Sequence, residues 1–245
     1  MQSKRRSKTA LFEVALLFLP AIPAYLWLWP AVTGTAWHTP TQVVVYVYLV
    51  AGTLFIGLRR WSLDELGLNR RGMGLSLACG AAFLAALLLG RFATNLPFAP
   101  RPPAFMRLAW EVVYYFALVG LIEELLFRGL IYRALDEWGG ARLAIWGSAL
   151  AFGVYHLSQG PLGMFGCFVI GVVFGMIRWR ATGIVGLILI HGLLDSLFIE
   201  GWPDLTAKSI TGLQITNRPL VILCDALLVG VLLYLWKLRP RMQRP

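Results

Sequence analysis

The sequence predicts an all-α, polytopic membrane protein, about eight transmembrane helices enclosing a polar active site buried in the bundle. Three observations carry that expectation. Of the 245 residues, 58% are hydrophobic and only 14% charged, where a soluble domain is about 25% charged, and the mean hydropathy is +0.70. Apolar runs long enough to span a bilayer recur at 11–30, 41–58, 72–90, 105–127, 183–199 and 219–236, with shorter ones at 143–157 and 161–177. Finally, a few charged and imidazole side chains lie inside those runs, where an ionised group costs at least about 2.5–3.5 kcal/mol.

The elements follow in order. The run at 11–30 comes after "KRRSK" and has no clear small-x-small cleavage site, so it reads as an uncleaved first helix. The run at 41–58 leads into "RRWSLDELGLNRR" at 59–71, a polar, amphipathic connection expected on the cytoplasmic side. After 72–90 comes the Pro-rich "RFATNLPFAPRPPA" at 91–104, expected outside. The fourth helix starts at 105 and projects to about Leu135. Helices five and six, at about 15–17 residues each, barely span. "SQGPLG" between them is expected to turn below the outer surface. In "GVVFG", Gly171 and Gly175 form a small-xxx-small pair that lets the sixth helix approach a neighbour closely. The seventh run is followed by an outer loop at 200–218, and the eighth ends the bundle. No segment is polar enough for a soluble domain and no internal repeat stands out. The organisation expected is one membrane domain over 1–245, with a catalytic core at 105–199.

The net charge of +10 does not point to nucleic acid, because the basic residues sit at the ends of apolar runs and line no polar face. The positive-inside rule accounts for them: Lys4, Arg5, Arg6, Lys8, Arg59, Arg60, Arg70 and Arg71, with most of the later ones, fall on one side. The expected location is a cell inner membrane, both termini cytoplasmic. Cys79, Cys167 and Cys224 share no metal-ligand spacing and read as packing residues.

The buried polar residues fall into three clusters. In "GLIEELLFRGL", Glu124 and Arg128 are four apart and share a helix face, acid before base, while Glu123 is turned away towards another partner. A structural ion pair explains these two on its own terms. "AFGVYHLSQG" places His156 at the end of the fifth helix, and "ILIHGLLDSLF" places His191 and Asp195 one turn apart in the seventh. If the clusters converge, a carboxylate beside an imidazole can take a proton from water, and a second imidazole can hold the oxyanion of an attacked carbonyl. That set suits peptide hydrolysis.

Glu-Glu-x-x-x-Arg at 123–128, Phe-x-x-x-His at 152–156 and His-x-x-x-Asp at 191–195, in this order, resemble the CAAX-type prenyl endopeptidase family, also called the CPBP or ABI family of intramembrane proteases. "WSLDELGLNRRG" resembles the family's loop before its third helix. The resemblance implies that Glu123 and His156 activate water, that His191 and Asp195 form the oxyanion site, and that Glu124, Arg128 and Phe152 support them. An ionised Asp195 cannot donate a hydrogen bond, so orienting His191 is the role expected of it. No cofactor is expected. If a metal were present it would be zinc on Glu123, His156 and His191. The partners implied are the lipid bilayer and a membrane-associated peptide or protein substrate, prenylated or not. Two other functions fit buried charges on such a bundle: a transporter or proton path, and a catalytically silent immunity or scaffold protein.

Overall fold

In a computed structural model of the chain, residues 2–18, 20, 27–95, 105–200 and 214–237 are described. Helix makes up 83%, and no strand forms among the described residues. The principal helices are α1 (Gln2–Phe18), α2 (His38–Leu58), α3 (Met73–Phe92), α4 (105–139), α5 (Ala141–Tyr155), α6 (Gly160–Ala181), α7 (Val185–Asp195) and α8 (Arg218–Lys237). Within α4, π-helical turns at Val113–Gly120 and Glu124–Ile131 flank a short α-helical piece, Leu121–Glu123.

Seven of the eight expected runs map onto single helices. The run at 11–30 does not: α1 begins and ends earlier, a separate short turn forms at Trp29–Val32, and residues 21–26 lie outside the described residues. The sixth helix is also longer than expected, at 22 residues, because nothing interrupts it until Thr182, whose φ of 64° ends it. The fifth has 15 residues, about 22 Å of rise against a hydrocarbon core of about 30 Å. Among the described residues three helices, α3, α6 and α8, are long and apolar enough to cross a membrane.

The described residues divide into two compact units, one made of 1–69 and 122–175, the other of 70–121 and 176–245. In the first, α1 and α2 pack with 122–139 of α4. The connection at 59–69 folds onto this group: Trp61 and Leu66 are buried while Leu63, Asp64 and Glu65 are exposed, the amphipathic division its sequence predicts. Leu66 fits against Gly57, and its carbonyl oxygen would lie 3.1 Å from a Cβ at Gly129. Glu137 ties the group together, accepting from Trp61 Nε1 at 2.9 Å, Ser7 Oγ at 3.0 Å and Arg133 Nη2 at 2.9 Å. Against α5, the first part of α6 lies close: a Cβ at Gly171 would be 2.8 Å from the Ala149 Cα, and one at Gly175 3.3 Å from the Ile145 Cα. The small-xxx-small pair therefore does what its spacing suggests.

In the second unit, α7 is gripped on two sides. Gly186 and Gly80 seat it against α3, beside Ser76 and Ile190 respectively, while Gly192 and Gly120 seat it against the Val113–Gly120 turn. Arg180 closes the end of α8, donating to the carbonyls of Leu235 at 2.6 Å and Trp236 at 2.8 Å, which satisfies acceptors that a helix C-terminus leaves open. The two segments expected as outer loops meet at their described ends: Thr94 bridges Ile215, and Thr216 N donates to the Ala93 oxygen at 2.8 Å. The rest of both loops, 96–104 and 201–213, lies outside the described residues.

Candidate active site

The first unit gathers five of the seven residues singled out from the sequence. Arg128 Nη1 donates to Glu124 Oε1 at 2.9 Å, with both side chains fully buried. Glu123, one residue earlier, turns its Oε2 to 3.9 Å from His156 Nε2. That separation is an approach, too long for a hydrogen bond. The imidazole is fixed from its other nitrogen, since Nδ1 lies 2.9 Å from the Phe152 carbonyl oxygen. A carbonyl only accepts, so Nδ1 carries the proton. In the neutral ring Nε2 is then a lone pair facing a carboxylate.

His156 can reach this position because α5 ends there: it closes the helix with φ −92° and ψ 22°, and a single 3₁₀ turn follows at Leu157–Gln159. The four-residue spacing of Phe152 and His156 puts the Phe152 carbonyl under the imidazole and its ring edge-on to it, 4.6 Å between centroids. Phe127 and Tyr155 complete an aromatic surround, Tyr155 meeting the imidazole edge-on at 5.1 Å and Phe127 meeting Phe152 at 5.1 Å. Arg128 stacks on the other partner of this set, its Cζ 4.3 Å from the centre of the Phe152 ring and 5.3 Å from that of Phe174.

The second unit holds the other two residues. His191 Nε2 lies 3.7 Å from Asp195 Oδ2, one turn on along α7, with the imidazole nearly fully buried. Each unit thus carries one imidazole beside one carboxylate. Among the described residues no group of three or more His, Cys, Asp or Glu side chains is arranged to hold a metal ion. Within the first unit the candidate site offers two such donors, Glu123 and His156, fewer than the three protein ligands of a catalytic zinc.

These positions fall in one contiguous stretch of chain. Residues 105–197 match the family model described as type II CAAX prenyl endopeptidase Rce1-like. The Rce1-like stretch contains Glu123, Glu124, Arg128, Phe152, His156, His191 and Asp195, and so coincides with the resemblance carried by the three motifs. No curated protein and no solved structure matches the chain. The Rce1-like match and the apolar helices together make this an integral membrane protein.

Three aromatic residues of the Rce1-like stretch went unread in the sequence: Phe127, Tyr155 and Phe174. The first two have no distinguishing signal among many aromatics. Phe174 had one, since it sits inside "GVVFG", where the close approach of α6 was legible and its consequence for the intervening phenylalanine was not.

Proposed function

We propose that the protein is an intramembrane endopeptidase that hydrolyses a peptide bond of a membrane-associated, CAAX-type substrate with a water activated by Glu123 and His156. The observation that carries this reading is the pair of acceptors, Glu123 Oε2 and His156 Nε2, facing each other across 3.9 Å with the imidazole held from behind. One water that donates to both suits that gap. In the reaction Glu123 takes the water's proton as its oxygen bonds to the scissile carbonyl carbon. The carbonyl electrons move onto oxygen, and His191, oriented by Asp195, is the donor for that oxyanion. Glu123 then passes the proton to the amide nitrogen as the C–N bond breaks, releasing a carboxylic acid and an amine, between which a proton then passes to give carboxylate and ammonium. Glu124 and Arg128 fix the helix turn that presents Glu123. The proposed mechanism needs no metal, and the proposed setting is a cell inner membrane with both termini inside.

The test uses purified protein in proteoliposomes with a quenched fluorescent farnesylated peptide ending in Cys-aliphatic-aliphatic-X, alongside proteomics of native membranes for a partner that stays uncleaved with Glu123→Ala. Glu123→Ala and His156→Ala should each lower cleavage by about 10²–10⁴-fold while remaining folded. Full activity in either variant removes the assignment. Cleavage should also survive prolonged chelation; activity lost to a chelator and restored by zinc would replace the glutamate mechanism with a metal one.

A further inference from the structure

The three motifs account for one aromatic contact of Arg128, the ring of Phe152. A second aromatic ring packed on the guanidinium belongs to a residue outside every motif. Phe174, on α6, is fully buried, and its ring centre lies 5.3 Å from the Arg128 Cζ, against 4.3 Å for Phe152. Among the described residues Arg128 is the largest fully buried side chain. A guanidinium removed from water gains from contact with aromatic faces, most when desolvated. It also gains from the Glu124 carboxylate, 2.9 Å from its Nη1.

The arrangement connects this cation to the imidazole. Phe152 touches Arg128 through its ring and His156 both through that ring and through its carbonyl oxygen. A displacement of Arg128 therefore moves Phe152, and with it the Nε2 that faces Glu123. Phe174, packed against the same guanidinium, opposes that displacement. It is delivered there by the backbone, because Gly171 and Gly175 bring α6 within van der Waals reach of Ala149 and Ile145 on α5. A side chain at Gly171, 2.8 Å from the Ala149 Cα, would force α6 away from α5 at the turn that precedes Phe174.

We infer that Phe174 is a positioning residue for hydrolysis: by clamping Arg128 against Phe152 it sets the separation of Glu123 and His156. The inference rests on the glutamate–imidazole reading above for its kinetic consequence. The clamp itself is physical and can be measured without substrate.

Two measurements test it. In thermal unfolding, a double-mutant cycle of Phe174→Leu with Arg128→Met should be non-additive, the double variant losing less than the sum of the single losses. Additive losses would overturn the clamp. With the farnesylated peptide in proteoliposomes, Phe174→Leu should lower kcat about tenfold or more with KM within about twofold, since the change acts on geometry at the reacting water and leaves substrate binding alone. Phe174→Tyr and Phe174→Trp should retain most of the activity, and Phe165→Leu, on the exposed face of the same helix, should match wild type. Equal loss in leucine and aromatic variants, or a change confined to KM, would overturn the positioning role. If leucine prevents folding, Phe174→Met takes its place, and unfolding of every non-aromatic variant would leave a purely structural residue and overturn the inference. An inactive Glu123→Ala with a fully active Phe174→Leu sinks the clamp alone; a fully active Glu123→Ala sinks the hydrolytic reading and leaves the unfolding cycle to decide the clamp.

Discussion

Arg128 and Glu124 are each fully buried, in a chain where only 14% of residues are charged. An ion pair taken out of water adds little net stability, because desolvation offsets the attraction, yet removing one partner strands the other and costs about 3–5 kcal/mol. Glu124→Ala should therefore lower the melting temperature sharply in a fixed detergent, and Glu124→Ala combined with Arg128→Met should recover a large part of that loss. An unchanged melting point for the single variant would show that the pair does not hold the helix turn. Glu123→Ala makes the contrast: the proposed mechanism uses this carboxylate to handle water, so its loss should fall on activity and spare stability. The sequence made this distinction legible, since a spacing of four pairs Glu124 with Arg128 and leaves Glu123 over. The approach of Glu123 to His156 was legible only as a chemical requirement, because residues 33 positions apart in sequence carry no spacing rule.

At the scale of elements, helix ends and crossings decide where those side chains go. Seven apolar runs each gave a helix, because hydrophobic length is a strong local signal. Crossings are different: a glycine reveals a close approach only when the opposing helix is known. "GVVFG" showed its pattern in one segment, whereas Gly120 and Gly192 lie on separate helices and face each other only in the fold. A Cβ at Gly192 would lie 2.6 Å from the Phe116 ring and 3.0 Å from its Cα, and the neighbouring residue is His191. Gly192→Ala should therefore overpack this crossing, with a loss of about 1–3 kcal/mol in stability and a fall in cleavage as His191 shifts. Gly166→Ala, where nothing lies within 4 Å of the added carbon, should leave activity unchanged and keep or slightly raise the melting temperature. Equal behaviour of the two variants would mean that α7 tolerates displacement. The π-helical turns on either side of Leu121–Glu123 could not be read from the sequence at all, since wide turns are set by packing and recur near functional sites.

For the molecule as a whole, the proposed chemistry gives water activation to Glu123 with His156 and oxyanion donation to His191 with Asp195. Kinetics can decide whether the two pairs serve one reaction. Groups that act on a single transition state give grossly non-additive losses, because once water activation is gone there is little left for the oxyanion donor to stabilise. Groups that act in separate processes give multiplicative losses. His191→Ala alone should lower cleavage by about 10²–10³-fold, the size expected for removal of one oxyanion donor, and Glu123→Ala alone by more. The Glu123→Ala, His191→Ala double variant should then be no worse than Glu123→Ala by itself, while Asp195→Asn should fall between wild type and His191→Ala if Asp195 acts only by orienting the imidazole. The measurement is initial rates for the four proteins in identical proteoliposomes, with melting temperatures to exclude unfolding. A double variant slower than either single one by the full product of their effects would separate the two imidazoles into different functions, and Asp195→Asn matching Glu123→Ala would give that carboxylate a direct chemical role instead.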